Sequence, residues 1–86
     1  SPVVELNRAI AVGMYEGPES ALAIIDNLIG EEKLTSYYLL YSAQADFKKR
    51  LGLKKEAAAA YKKAIDLAQQ DPERRYLQDQ LSELLK

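Results

Sequence analysis

Eighty-six residues, 48% of them apolar and 29% charged, suit one small globular domain and leave no room for two. With no Cys and no His the chain has no disulfide, no thiolate metal site and no imidazole acid–base chemistry. A formal net charge of −1 makes a poor counterpart for nucleic acid, since that affinity comes mostly from neutralising phosphates. Four Gly and three Pro supply few turns, which argues against a many-stranded β fold. No apolar run approaches the ~20 residues of a membrane span, and no signal peptide opens the chain. The chain opens Ser1-Pro2-Val3-Val4 without a Met, so the expectation is a piece of a longer protein.

Apolar residues recur at helical spacing almost throughout. In the first segment Val3, Leu6, Ile10 and Met14 form the expected buried stripe, widened by Val4 and Ala11, until Gly17-Pro18 stops the helix. Pro18 fits the first turn of the next helix, where a missing N–H costs nothing. That second helix, about Pro18 to Ile29, places Ala21, Leu22, Ile25, Leu28 and Ile29 on one side, and Gly30 stands where a left-handed cap is expected. A third helix is predicted over roughly Thr35 to Leu51, with Tyr37, Leu40, Tyr41, Phe47 and Leu51 inward, broken by Gly52. The fourth, about Lys54 to Gln70, carries Ala57, Tyr61, Ala64, Ile65 and Ala68 on one stripe. Its small residues permit close helix approach, with Leu40 and Phe47 as the expected partners of Ala57, Ala64 and Ala68. Asp71-Pro72-Glu73 reads as N-cap, first-turn proline and first-turn acid. The last helix presents Tyr76, Leu77, Leu81, Leu84 and Leu85. No stretch reads as a strand. The fold class is all-α, with about five helices in a single domain over residues 1–86.

Two helical hairpins superpose at a shift of about 36 residues: Ala9 on Ala45, Ala21 on Ala57, Leu28 on Ala64. The run Gly52 to Ile65, with Ala57, Tyr61 and Ala64 at their spacings, resembles the tetratricopeptide (TPR) pattern of Gly, Ala, aromatic and Ala. The first unit lacks the aromatic after Ala21. The expected architecture is therefore two TPR-like antiparallel hairpins with a C-terminal capping helix.

Chemistry is thin. Ser20, Ser36, Ser42, Ser82 and Thr35 have no His to activate them, Glu31-Glu32 reads as solvated charge, and the glycines are isolated. The sequence argues against an enzyme, and no catalytic, metal or cofactor residue is singled out. Tyr37, Tyr38 and Tyr41 cluster, and together with Tyr15, Tyr61 and Tyr76 they read first as packing groups beside small alanines. A stacking surface for peptide or RNA is the alternative.

Charge is unevenly distributed. Residues 1–32 balance to −5, residues 33–63 to +6 and residues 64–86 to −2. Lys48, Lys49, Arg50, Lys54 and Lys55 bracket the elbow at Gly52 and are the candidate protein-contact residues, although a solvated face and favourable placement at a helix C-terminus also explain them. Asp46, between Ala45 and Phe47, falls near the buried side of its helix and should find a cation or backbone donors. Arg8, Arg74 and Arg75 are the candidate partners of such a structural ion pair.

Ser1 to Val12 resembles the start of the C-terminal extension in one group of bacterial extracytoplasmic-function (ECF) RNA polymerase sigma factors. Tyr37-Tyr38-Leu39-Leu40 with Ala43, Ala45-Asp46 and Leu51-Gly52 is similar to that group's Tyr-His-Leu-Leu, Ala-Asp-Leu-Leu and Leu-Gly pattern. Ala57 to Tyr61 and Glu73-Arg74-Arg75-Tyr76-Leu77 look like its alanine-rich helix and Glu-Arg-Arg-Phe-Leu closing motif. Tyr38 stands where His is common and Phe47 where Leu is common. The resemblance covers nearly the whole chain. It implies a cytoplasmic transcription initiation factor whose promoter-reading, polymerase-binding domains lie outside these residues. This domain would then be the regulatory module. Its implied partners are the parent's own promoter-reading domains, RNA polymerase core or a protein effector, with DNA bound only through the other domains. A free-standing TPR-like adaptor capturing a peptide is the competing expectation.

Overall fold

The structure, a computed structural model, describes residues 1–86. Five helices follow one another: α1 (Pro2–Tyr15), α2 (Pro18–Gly30), α3 (Tyr38–Arg50), α4 (Lys54–Leu67) and α5 (Asp71–Leu84). There is no strand, as the periodicity predicts. α1 pairs with α2 and α3 with α4 as two hairpins, α2 meets α3 between them, and α5 closes against α4.

The elbows differ in chemistry. α3 ends in a Schellman motif, with Gly52 at φ 77° donating to Lys49 O and Leu53 donating to Lys48 O. α2 ends in the same hydrogen-bond pattern, but the left-handed residue is Glu32 at φ 56°. Gly30, expected to be that cap, is the last residue of the helix instead. Leu34 takes a second positive φ of 61°, and these two turns delay α3, which begins at Tyr38 rather than Thr35. α4 stops at Leu67 because Ala68 turns extended. The N-cap of α5 is Gln70, one residue before the expected Asp71, and its N–H donates to Glu73 Oε1 at 3.2 Å.

Two apolar clusters share α3. The first joins Leu6 and Ala9 of α1, Ala21, Leu22, Ile25 and Leu28 of α2, and Leu40, Ala43 and Phe47 of α3. The second joins Ala45 of α3 to Ala57, Ala58, Ala60, Tyr61, Ala64 and Ala68, and to Leu77 and Leu84 of α5. Leu40 and Phe47 thus belong to the first hairpin, and Ala45, not they, faces the α4 alanines. The cause is angular: at ~100° per residue Ala45 lies about 140° from Leu40 and about 160° from Phe47, so it points to the opposite neighbour.

The repeat is visible in the packing. Ala9 and Ala45, Ala21 and Ala57, and Ile25 and Tyr61 are all completely buried at a 36-residue shift. Ile25 fills in the first unit the place that the aromatic fills in the second. On α1, however, the buried line is Leu6, Ala9 and Gly13. Of the expected stripe only Leu6 is buried, while Val3, Ile10 and Met14, with Val4 and Ala11, face outward.

Candidate functional site

Between α1 and α3 runs a groove of about 150 Å³ whose wall is mostly apolar. α1 contributes Ile10 and Met14, displaced from the core because Gly13 and Ala9 take the inward positions. α3 contributes Leu39, Ala43 and Phe47, with Ser42, Asp46 and Arg50 as the polar groups. Met14 is 67% exposed, a large apolar side chain held at the rim in water. Arg50 closes one end: both terminal nitrogens stand 3.9 Å from Met14 Sδ, and the guanidinium lies 5.2 Å from the centroid of the Phe47 ring.

Asp46, on the same wall, accepts a hydrogen bond of 2.5 Å from the hydroxyl of Tyr61. Tyr61 is wholly buried under α3, and burial first, then this carboxylate, push its hydroxyl pKa well above the ordinary tyrosine value. The expected ion pair of Asp46 with an arginine does not form. Arg8 pairs with Glu5 on α1 at 3.1 Å, lowering that carboxyl's pKa, and Arg75 is exposed. Arg74 pairs with Asp71 at 2.8 Å and donates to the Ala68 carbonyl at 2.7 Å, which ties the end of α4 to the start of α5. A tyrosine hydroxyl fifteen residues away reaches Asp46 because α3 and α4 pack closely through alanine. That partnership crosses two helices and leaves no spacing signal in the sequence.

The five cations of the basic elbow are dispersed. Lys48 donates to Glu56 of α4 at 3.0 Å, and Lys49 donates to Gln80 of α5 at 3.0 Å and sits 5.9 Å from the Tyr61 ring. Arg50 reaches α1 through Met14. Three consecutive side chains therefore fasten the last turn of α3 to three different helices. Lys54 and Lys55, in the first turn of α4, remain exposed and hold no ion pair. Of the tyrosines, Tyr37, Tyr38 and Tyr41 pack partly buried against the two clusters, as expected of packing groups. Tyr15 and Tyr76 do not: they are exposed. Sequence reading did not find the groove, since it placed Val3, Ile10 and Met14 in the core. The available signal was Gly13, a residue that marks close approach when it sits inside a helix.

No group of three or more acidic residues could hold a metal ion, and no helix is long and apolar enough to cross a membrane. The arrangement is an apolar cleft with one cation, Arg50, and one carboxylate, Asp46, among its lining residues. Among known proteins, an uncharacterized protein of Rhizobium meliloti (strain 1021) is 43% identical over 84 residues. The match covers 98% of this chain and 19% of that protein, so the chain spans about a fifth of its relative's length. No family model and no solved structure matches the chain.

Proposed function

We propose that this chain is the protein-interaction and regulatory module of a bacterial ECF-type RNA polymerase sigma factor, acting by binding and not by catalysis. The observation that carries the reading is the ordered motif resemblance along the chain, from Ser1–Val12 through Tyr37–Gly52 to Glu73–Leu77. Two further observations support it. The relative in Rhizobium meliloti is about five times longer than the matched segment, leaving length for promoter-reading domains. The apolar α1/α3 groove is able to receive the apolar face of a protein segment. In this reading the parent works in the cytoplasm, touches DNA through its other domains, and uses this module against those domains, polymerase core or an effector.

The test is transcription in vitro with purified polymerase, comparing the full parent, a truncation lacking residues 1–86, and Lys54→Glu/Lys55→Glu. These two lysines replace Lys48, Lys49 and Arg50 as the charge probes, because the latter three fasten α3 and their reversal would confound contact with stability. A changed transcript yield on truncation supports the module. Identical yields from all proteins, with and without effector, would remove it from transcription control.

A free-standing TPR-like adaptor remains the second reading, favoured by the groove alone. The coding sequence upstream of Ser1 separates the two.

A further inference from the structure

The two ends of this short solenoid are finished differently. Its last helix, α5, turns Leu77 and Leu84 inward and leaves Asp71, Arg75, Gln78, Asp79 and Glu83 in water, the polar outer face that a terminal repeat needs. α1, at the other end, carries apolar residues on its outer face on either side of Arg8, whose charge is paired with Glu5. Val4 is 61% and Tyr15 92% exposed, Ala11 lies between them, and the flank continues into Val3, Ile10 and Met14.

The internal repeat says what such a face is for. A shift of 36 residues brings the buried Ala9, Ala21 and Ile25 onto the buried Ala45, Ala57 and Tyr61. The same shift carries Leu40, Ala43 and Phe47, by which α3 packs on the preceding hairpin, back onto Val4, Asn7 and Ala11 of α1. Leu51 maps onto Tyr15. α5 meets α4 through Leu77 and Leu84, a pair with the spacing of Leu40 and Phe47 but one residue beyond the 36-residue register, which falls on the exposed Tyr76 and Glu83. Each later first-of-pair helix thus sits on a preceding helix through an apolar pair two turns apart. α1 carries that pair with nothing on it.

We propose that in the longer protein a further helical hairpin, from the segment preceding Ser1, stacks on α1 and covers Val4, Ala11 and Tyr15. This rests on the reading that the chain is the later part of a longer protein. The contacting helix of that hairpin would present an apolar stripe like that of α2, where Ala21, Leu22, Ile25 and Leu28 receive α3. A second copy of this chain is the weaker occupant. α1 has 14 residues, or ~21 Å of helix, and its outward face falls well short of the ~800 Å² per partner of a specific complex. A covalently tethered hairpin does not need that area, because tethering raises its effective concentration.

The 86 residues contain no cysteine, so single cysteines report cleanly there, and in the parent the label is read on the peptide that carries the introduced site. Ala11→Cys and, on the exposed side of α4, Ala59→Cys are labelled with a maleimide in the 86-residue chain and in the parent, each matched to its unsubstituted protein by circular dichroism. Ala11→Cys should react freely in the short chain and at least ~10-fold more slowly in the parent, with Ala59→Cys equal in both. Equal rates for Ala11→Cys overturn the proposal. Protection that appears in the short chain and grows with concentration also overturns it, in favour of a second copy. Should Ala11→Cys fail to fold, Tyr15→Cys gives the same comparison from a side chain in open water. The outcome is independent of transcription: protection in a parent that drives no transcription keeps the stack and rejects the sigma-factor reading, and the converse result does the opposite.

Discussion

Gly13 is the position where a single methyl group tests the packing. It lies in the last turn of α1, and a Cβ built there would stand 2.3 Å from Phe47 Cε1, 2.4 Å from Phe47 Cζ and 2.9 Å from Ala21 Cβ. Ordinary carbon contacts begin near ~3.5 Å, so the ring must move by more than about 1 Å. The ring can yield only toward the groove it lines, at the expense of its packing in the first core cluster, and Ala21 on the other side is completely buried. Two effects then compete in Gly13→Ala. Alanine raises helix propensity by up to about 1 kcal/mol. Overpacking costs about 1–3 kcal/mol, and with backbone and ring both pinned the upper part of that range applies. The expected result is a net loss of about 1–2 kcal/mol, at roughly 4–8 °C of melting temperature per kcal/mol in a domain this size. Thermal and urea unfolding followed by circular dichroism measure it. Gly13→Ala in a Phe47→Leu background should cost less than in the wild type, a coupling of at least about 0.5 kcal/mol. A rise in melting temperature for Gly13→Ala alone would refute the close α1–α3 approach, and with it the geometry that pushes Ile10 and Met14 into the groove.

Gly30→Ala supplies the opposite sign: nothing lies within 4 Å of its built Cβ, so helix propensity acts alone and urea unfolding should show a gain of up to about 1 kcal/mol. At the two Schellman ends, Glu32→Gly should stabilise by about 0.5–1 kcal/mol and Gly52→Ala should destabilise by about 1–2 kcal/mol, since both positions have a left-handed φ; equal effects of the same sign would contradict the turn assignment. Burial and Asp46 raise the Tyr61 pKa, so the protonated hydroxyl stabilises the fold fully below about pH 10 and that contribution is lost as pH climbs above the unfolded tyrosine value. Tyr61→Phe should therefore cost about 1–2 kcal/mol at neutral pH and flatten the alkaline limb of a urea-midpoint profile; an unchanged limb would dissociate Tyr61 from the alkaline transition. Ala64→Leu, at a completely buried site facing the second cluster, should lose about 1–3 kcal/mol in the same assay, and an unchanged melting point would remove Ala64 from the helix contact.

The helices and their order were legible because Pro18, Gly52 and Pro72 punctuate strong 3.6-residue patterns. The faces were less so. On α4 the pattern is unambiguous, since Ala57, Tyr61, Ala64 and Ala68 alternate with lysines and acids, and all four are buried. On α1 nearly every residue is apolar, so periodicity allows two stripes, and the bulkier one was the natural choice. The fold took the smaller one, because Ala9 and Gly13 let α2 and Phe47 approach, which the branched stripe would have prevented. The cap of α2 departs from the expectation at Gly30 for a related reason. Gly30 marks a turn, but the left-handed position is fixed by which carbonyls remain unpaired, and the hydrogen bonds to Leu28 and Ile29 put it at Glu32. Asp46 was correctly placed near the interior, yet charge alone suggested an arginine where geometry provided Tyr61.

The dispersal of the basic elbow changes what regulation through this module would require. Had Lys48, Lys49 and Arg50 formed one patch, a partner could dock on it without touching the fold. They are instead the fasteners of α3 to α4, α5 and α1, and α3 is the one helix both core clusters share. Met14 and Ile10 of α1 and Arg50 of α3 bound the same groove. A segment entering that cleft would have to displace Arg50 from Met14 and would bear on the α1–α3 angle. The hairpin proposed to stack on Val4, Ala11 and Tyr15 bears on the other side of the same α1. Two ligands that bear on the same α1–α3 geometry are coupled to the extent that each favours one arrangement of it, and the factor is the same in both directions. Stacking in the parent would therefore change the groove's hold on its partner, and occupation of the groove would change the stack by that same factor.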